Sequence, residues 1–221
     1  MSDRALIVFL KHPEPGTVKT RLMPALGPVV AADLYRALSE TVLEATVPGP
    51  GEYERLVFFA PPGAAEEVRA WLPGIRLLPQ GGGDLGGRMS GAFARAFARG
   101  AERVAIIGTD SPAVSRATAV EALDALSAAD VVLGPAEDGG YYLLALRRPQ
   151  PELFEGVAWS TSSVLAETVA RARKAGLSVR LLSPLSDIDT PEDLRAEWPR
   201  VRLLLKSRPD LMRRIEVLLG G

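Results

Sequence analysis

Residues 106–112 read Ile106-Ile107-Gly108-Thr109-Asp110-Ser111-Pro112 and join the end of an apolar run to a single carboxylate. The apolar residues favour a buried β-strand, and Gly108 predicts its end. In open α/β sheets, ligands bind beyond the carboxyl ends of the strands. We therefore expect an α/β fold in which Asp110 lies beside a bound ligand.

The rest of the chain alternates apolar strand patterns with amphipathic helix patterns. Strands are expected at 5–10, 56–60, 75–78, 103–108, 131–133, 141–146 and 179–182. Helices are expected at 30–45, 64–72, 115–126, 162–175 and 207–218, with two more beginning near 89 and 190. Continuously apolar strands between helices are typical of a mainly parallel sheet covered on both faces. Because the 221 residues contain neither a linker nor an internal repeat, we expect one three-layer α/β/α domain over 1–221.

The composition excludes several classes of function. The 26 basic and 27 acidic residues give a net charge of −1, so no overall positive field exists to bind nucleic acid. The absence of cysteine excludes disulfides and thiolate sites, and the single histidine, His12, excludes a multi-histidine metal site. The apolar run 5–10 is too short for a signal peptide or a membrane span, which predicts a cytoplasmic protein.

Residues 11–22 read KHPEPGTVKTRL and predict an anion-binding loop after the first strand. Its prolines and Gly16 exclude regular structure, while Lys11, Lys19 and Arg21 supply three cations. A phosphate-binding P-loop requires a glycine directly before the lysine, so Gly16 does not complete that pattern. The cations predict contacts to an oligophosphate, with a solvated charged surface as the alternative.

The glycine-rich segment 80–89 offers a competing interpretation. Gly81-x-Gly83-x-x-Gly86 matches the dinucleotide fingerprint and lies between a predicted strand and a predicted helix. A segment with this many glycines satisfies many patterns by chance. The acidic residue that follows such a fingerprint and binds the ribose would here have to be the distant Asp110. A nicotinamide or flavin dehydrogenase and a plain flexible connection both remain alternatives at this point.

Asp110 and Asp189 both follow strand-like runs and are candidate ligands of a hard cation. With thiols absent, an oxygen-ligated Mg²⁺ or Mn²⁺ is the metal that this composition supports. Magnesium commonly takes one or two protein carboxylates together with water and substrate phosphate, so two aspartates suffice. In the alternative interpretation Asp110 closes a turn, and Asp187 or Asp189 serves the start of the helix capped by Thr190.

A second acidic segment precedes the predicted strand at 141–146. Glu137 and Asp138 stand before the pair Gly139-Gly140, which permits close backbone approach to a ligand. Either carboxylate could orient an acceptor hydroxyl or act as a base. Trp159 offers a stacking face or fills the core.

Six stretches together resemble the GT-A-like nucleotide-diphospho-sugar transferases, in particular bacterial glycosyltransferases linked to radical-SAM or selenium-associated domains and to arsenosugar biosynthesis. They occur in the family's order at 11–22, 84–89, 108–112, 134–142, 159–161 and 187–194. The chain is also similar, more distantly, to the guanylyltransferases of the phospholactate and molybdopterin cofactor pathways. Gly87 departs from the family's glutamate, and Ala113-Val114-Ser115 replaces its usual Asp-Leu-Pro.

The resemblance implies a single Rossmann-like GT-A transferase domain with a metal-bound nucleotide across the carboxyl ends of the first strands. It implies Mg²⁺ or Mn²⁺ on Asp110 and Asp189, and a catalytic set of Asp110, Asp138 and Lys19. The implied nucleotide side consists of Lys11, Gly16, Lys19, Thr20, Arg21, Asp84, Gly86 and Arg88. The implied acceptor side consists of Glu137, Asp138, Gly139, Gly140, Tyr141 and Trp159.

From the resemblance we expect a metal-dependent glycosyltransferase that uses a nucleoside diphosphate sugar. The alternative is a guanylyltransferase-like enzyme that transfers NMP from an NTP to a phosphorylated small molecule. A nucleotide-binding module without catalysis is a third interpretation. The expected partners are a nucleotide sugar or NTP and a small acceptor, with no nucleic acid and no membrane span. The oligomeric state stays open, a homodimer included.

Overall fold

The computed structural model describes residues 2–220 and shows one seven-stranded sheet between two helical layers. The strands are β1 (Arg4–Lys11), β2 (Glu54–Ala60), β3 (Leu77–Pro79), β4 (Arg103–Ile107), β5 (Val131–Pro135), β6 (Tyr141–Leu146) and β7 (Val179–Leu181). The helices are α1 (Met23–Ala45), α2 (Ala65–Trp71), α3 (Leu85–Ala98), α4 (Arg116–Ala125), α5 (Val164–Lys174), α6 (Pro191–Ala196), α7 (Trp198–Leu204) and α8 (Pro209–Leu219).

The sheet has the strand order β3-β2-β1-β4-β6-β5-β7. Every pairing is parallel except those of β6, which runs antiparallel to β4 and to β5. The chain therefore builds outward from β1 to β3 and then returns to the other side of β1 to form β4. This reversal is a topological switch point, and it opens a crevice at the carboxyl ends of β1 and β4.

The register of β1 and β4 sets the width of that crevice. Their last pair is Val8 with Ile107, while β1 continues to Lys11 beside β2. Past this pair β4 ends while β1 continues, and Lys11 and Asp110 both line the resulting opening. The sheet edge thus leaves room for a ligand between β1 and the turn after β4.

Alternate residues of the central strands pack against opposite helical layers, as their period of two requires. One face of β1 carries Leu6 and Val8 and packs against α1, α2 and α4. The other face carries Ala5 and Ile7 and packs against α3 and α5. Burial on both faces explains why these strands are apolar throughout. The fold is a three-layer α/β/α sandwich with a mainly parallel mixed sheet.

A third core joins the carboxyl-terminal helices to α1. Leu34 and Leu38 of α1 pack there with Leu194, Val201 and Ile215 from α6, α7 and α8. The buried side chain of Ile188 belongs to the same cluster. The last helices therefore hold residues 187–189 against the rest of the molecule.

The structure confirms the predicted strands and most predicted helices, although the ends of several elements differ by two residues or more, and α3 begins at Leu85 inside the predicted glycine loop. Helix α1 begins at Met23 rather than 30, because the segment before Pro28 is helical and is joined to the rest across non-helical Gly27. Helix α7 has no counterpart in the prediction, and β3 begins two residues later than expected. Within residues 2–220, none of the helices combines the length and apolarity that crossing a bilayer requires.

Candidate functional site

A cleft of about 530 Å³ lies at the switch point between β1 and β4. Volumes of this size accommodate nucleotide-sized ligands. Its wall is formed by the end of β1, the loop after it, the start of α3, the turn after β4 and the segments around 140, 160 and 188. Eleven of the predicted site residues line it: Lys11, Lys19, Thr20, Arg21, Arg88, Asp110, Asp138, Gly140, Tyr141, Trp159 and Asp189.

Lys19 is the central cation of the cleft. Its Nζ lies 2.5 Å from Asp110 Oδ1 and 2.8 Å from Asp189 Oδ1, and its side chain is only 2% exposed. Burial by itself would lower the pKa of this ammonium, but the two carboxylates outweigh burial and raise the pKa above its ordinary value. Lys19 therefore stays charged and neutralises part of the acidic cluster.

Asp110 is positioned by the turn that follows β4. Its backbone carbonyl accepts a hydrogen bond of 3.3 Å from the Ile188 amide, which joins this turn to residues 187–189. Burial would raise the pKa of Asp110, yet the Lys19 ammonium lowers it, so the carboxylate is ionised. A fixed negative charge at a strand end is suited to holding a cation.

Behind Asp110 lies a chain of buried hydroxyls. Ser39 donates to Thr109 at 2.9 Å, and Thr109 donates to the Tyr35 hydroxyl at 3.1 Å. The backbone amide of Lys11 also donates to Tyr35 at 2.8 Å, which joins the ends of β1 and β4. Burial is the main cause of the raised pKa of Tyr35, followed by the charge of Asp110. The sequence did not reveal this network, because α1 supplies two of its members.

Asp187, treated from the sequence as part of a helix start, lines the same cleft as Asp189. The intervening Ile188 is fully buried in the third core, whereas the aspartates on either side of it line the cleft. The alternation of acid, isoleucine and acid is the sequence signal that could have identified Asp187. Thr190 and Asp193 cap α6 reciprocally and hold this segment in place.

The three aspartates provide a test of the metal expectation. Asp187 Oδ1 is buried and has no hydrogen-bond partner within residues 2–220. Burial, reinforced by the charges of Asp110 and Asp189, raises the pKa of Asp187 to about 7. An unpartnered oxygen beside two carboxylates fits a divalent cation, which prefers oxygen ligands.

The cation would need further ligands beyond these side chains. In the described part of the chain, no group of three or more acidic, histidine or cysteine side chains is placed so that it could hold a metal ion alone. The residues fit Mg²⁺ or Mn²⁺ in the manner usual for magnesium, with one or two carboxylates supplemented by water and substrate phosphate.

Three other cations line the cleft. Lys11, Arg21 and Arg88 form no salt bridge with any carboxylate in the region 2–220. Arg88 is held in place by hydrogen bonds of 3.0 Å to Gln80 Oε1 and 3.3 Å to the Asp84 carbonyl. Unpaired cations around one opening attract a multiply charged anion.

Gln80 was not singled out from the sequence, although it is 5% exposed and lines the cleft. Its amide nitrogen donates to the carbonyls of Leu10 and Phe58, and its oxygen accepts from Arg88. Gln80 therefore ties Arg88 to β1 and β2. A glutamine between a strand and a glycine loop gives no sequence signal of such a role.

The far side of the cleft is more apolar. Tyr141 and Trp159 line it, and Tyr141 Oη and Trp159 Nε1 are buried without a hydrogen-bond partner among the described residues. Asp138 is exposed at the rim and accepts a hydrogen bond of 2.8 Å from the Gly140 amide. Because Trp159 Nε1 lies against Gly86 of α3, this wall offers aromatic ring surface to a ligand.

Five predicted site residues do not line the cleft but shape its walls. Gly16 adopts φ +93° in the first loop, and Asp84 caps α3 by accepting from the Gly87 amide. Gly86 lies under the Trp159 ring, and Gly139 lies against the Ser162 backbone. Glu137 accepts a hydrogen bond from Ser186 at 2.9 Å. These are contacts within the walls of the cleft, and contact of these five residues with a ligand stays a prediction.

The fold, the switch-point cleft and its mixture of carboxylates and unpaired cations define the class of nucleotide-diphospho-sugar transferases. A Desulfovibrio desulfuricans G20 protein assigned to that class superposes with a TM-score of 0.88 and 33% sequence identity. The superposition covers 97% of this chain and 99% of that one.

The chain belongs to the family described as "Uncharacterized protein conserved in bacteria" (DUF2064), which matches residues 43–161. It is 32% identical over 182 residues to the 2-phospho-L-lactate guanylyltransferase of Methanothermobacter thermautotrophicus, covering 80% of this chain and 76% of that protein. It is 29% identical over 183 residues to the phosphoenolpyruvate guanylyltransferase of Chloroflexus aggregans, covering 80% and 89%. The protein is a transferase, and these relatives favour transfer chemistry over the dehydrogenase alternative.

Proposed function

We propose that this protein is a nucleotidyltransferase that transfers the nucleotidyl group of an NTP, with GTP as first candidate, to a phosphorylated small acid. The observation that carries the proposal is the placement of three aspartates beside Lys19 and three unpaired cations in one cleft. This charge pattern complements a cation-bound triphosphate. GTP and a phosphorylated acid are chosen as candidate substrates because both relatives are named guanylyltransferases of such acids.

In the proposed reaction, a phosphate oxygen of the acceptor attacks the α-phosphorus of the NTP. The bond from the α-phosphorus to the bridging oxygen of the β-phosphate breaks, and pyrophosphate leaves with that electron pair. Lys11, Lys19 and Arg21 neutralise the charge that develops on the phosphate oxygens. A divalent cation held by Asp110 and Asp189 would polarise the phosphoryl group and neutralise further charge.

The acceptor is proposed to lie on the Tyr141 and Trp159 side of the cleft. The ring faces of Tyr141 and Trp159 would pack against its apolar part. Arg88, which Gln80 holds at the cleft, would bind its negative charge. Asp138 at the rim accepts a hydrogen bond from the Gly140 amide, so we propose that it fixes the turn beside the acceptor and does not itself contact this anion.

The test is a transfer assay with purified protein, Mg²⁺ or Mn²⁺, one of the four NTPs, and either phosphoenolpyruvate or 2-phospholactate. We expect pyrophosphate release that depends on both the metal and the acceptor. Phosphorus NMR of the product should show the two coupled signals of a new diphosphate linkage. Absence of pyrophosphate with every NTP and both acceptors would contradict nucleotidyl transfer.

Glycosyl transfer from a nucleoside diphosphate sugar is the second candidate. It is supported by the likeness to the Desulfovibrio protein, which extends over nearly the whole chain. The same cations would neutralise the departing diphosphate. The two reactions differ in their leaving group, so release of a nucleoside diphosphate from a panel of nucleotide sugars, without pyrophosphate from any NTP, would favour this candidate.

A further inference from the structure

The ammonium of Lys19 occupies the point on which the two expected metal ligands converge. Asp110 Oδ1 and Asp189 Oδ1 both lie within 2.8 Å of the Lys19 Nζ atom. Oxygen ligands of Mg²⁺ lie about 2.0–2.1 Å from the metal, so an ion bound to these two oxygens on the side that Lys19 occupies would overlap the Nζ atom. The lysine and the cation therefore compete for these oxygens.

Lys19 cannot simply be displaced into the protein interior. Its side chain is 2% exposed, and an ammonium that is buried without an anionic partner is strongly unfavourable. A divalent cation arriving alone would remove both carboxylate partners and add a repelling charge beside the lysine. Binding of the cation alone is therefore opposed by the cost of leaving Lys19 unpaired.

An oligophosphate removes this obstacle by offering Lys19 another anionic partner. The flanking residues Val18, Thr20 and Arg21 all line the cleft, so phosphate bound there lies within reach of the loop. Lys19 itself has a left-handed backbone, with φ 48° and ψ 43°, which non-glycine residues rarely adopt. Such a conformation persists where surrounding contacts enforce it, and the paired carboxylates supply those contacts.

We propose that Lys19 is a built-in counter-ion that blocks the cation position until an oligophosphate takes over its ammonium, so that divalent metal and phosphate bind together. The inference rests on the proposed function only in assuming an oligophosphate ligand and a divalent metal. It does not depend on the nucleotide base, on the acceptor or on the chemical group that is transferred.

The test measures Mn²⁺ binding to the complete protein by electron paramagnetic resonance of the free ion, with no turnover involved. Lys19→Met keeps a long side chain but removes the charge, and Lys19→Gln is the second variant. Lys174→Met, at the exposed end of α5, is the matched control. Inorganic tripolyphosphate serves as the phosphate probe because it carries neither a base nor a transferable nucleotidyl group.

We expect Lys19→Met to bind Mn²⁺ alone about tenfold or more tightly than the wild-type protein, because a competing charge has been removed from the carboxylates. Lys174→Met should bind Mn²⁺ as the wild type does. Because tripolyphosphate itself chelates Mn²⁺, its effect is measured as protein-bound Mn²⁺ after ultrafiltration, and this amount should rise far more for the wild type than for Lys19→Met. Equal affinity of the wild type and both Lys19 variants for Mn²⁺ alone would overturn the proposal.

The wild-type protein provides a measurement that does not depend on the folding of any variant. Its melting temperature should rise with Mn²⁺ and tripolyphosphate together and should not rise with Mn²⁺ alone. A rise with Mn²⁺ alone, at concentrations comparable to those needed with tripolyphosphate, would contradict the blocking role. If coupled binding is observed but no NTP is turned over, the proposed function fails and this inference stands. If the protein turns over an NTP but binds Mn²⁺ alone as tightly as it does with tripolyphosphate, this inference fails and the proposed function stands.

Discussion

At the scale of single residues, Asp110 connects two walls of the cleft. Its carboxylate contacts Lys19, and its backbone carbonyl contacts the amide of Ile188, so one residue joins the first loop to the segment after β7. The carboxylate is nevertheless 47% exposed, which leaves it accessible to a ligand in the cleft. A residue held from two sides and open on a third is suited to orienting a bound cation.

We predict that Asp110→Asn lowers metal-dependent turnover by about a hundredfold or more, because the amide keeps the shape but loses the charge that would hold the metal. The fold should persist, since Lys19 retains Asp189 as a partner. Steady-state kinetics and circular dichroism measure the two effects. The matched control is Asp124→Asn, which removes a 62% exposed carboxylate paired with Arg4 away from the cleft. Turnover in Asp110→Asn equal to that of the control would remove Asp110 from the site.

At the scale of the elements, the start of α3 and the segment around 159 are packed without spare room. A Cβ on Gly86 would lie 2.7 Å from Trp159 Nε1 and 2.7 Å from the Phe154 carbonyl oxygen. The absence of a side chain at Gly86 therefore allows the indole to cover the amino-terminal turn of α3. This packing fixes the aromatic wall of the cleft relative to Arg88.

We predict that Gly86→Ala lowers the free energy of unfolding by about 1–3 kcal/mol, because the new methyl group would overpack this contact. Gly91→Ala is the matched control in the same helix, because a Cβ there meets nothing within 4 Å. Alanine should leave stability unchanged or raise it by up to about 1 kcal/mol at that position. Urea unfolding followed by tryptophan fluorescence measures both. Equal stabilities of the two variants would show that the indole does not depend on Gly86.

At the scale of the whole molecule, the Asp130 carboxylate reinforces the pairing of β5 with β7 at one edge of the sheet. Asp130, just before β5, accepts hydrogen bonds of 3.1 Å from the Ser178 amide and 2.7 Å from its hydroxyl, next to β7. These bonds, followed by the charges of Arg147 and Arg148, lower the pKa of Asp130. A lowered pKa in the folded state stabilises the fold above the unfolded-state pKa, about 3.9, and this stabilisation is lost as the pH falls through the folded-state pKa.

We therefore predict that Asp130→Asn lowers the free energy of unfolding by about 1 kcal/mol near neutral pH, the usual net contribution of such hydrogen bonds. The difference from the wild type should shrink as the pH falls below about 4, where the wild-type carboxylate also becomes protonated. Urea unfolding at several pH values measures this. Asp210→Asn, at a carboxylate that is 90% exposed, should have no comparable effect. A difference that persists unchanged at pH below 3 would contradict this account.

Much of the fold and part of the site were predictable from local patterns. The apolar strands β1, β2 and β4 follow from runs of residues buried on both faces, and the cap of α6 follows from Thr190 and Pro191. Helix α7 was missed because it follows α6 directly and is stabilised by the third core rather than by its own pattern. Lys19 and Asp110 were recognisable because a strand end and a glycine-containing loop are local features.

Local sequence patterns therefore account for the alternation of strands and helices, the absence of thiol chemistry and the candidate residues at the ends of the strands. The ion pair of Lys19 and Asp189, which are separated by 170 positions, follows from the fold and from no local pattern. The fold also brought Asp187, Gln80 and Tyr35 to the cleft. The physical reason is that backbone periodicity and turn chemistry act over a few residues, whereas this site depends on strand order and on the packing of α6, α7 and α8 against α1.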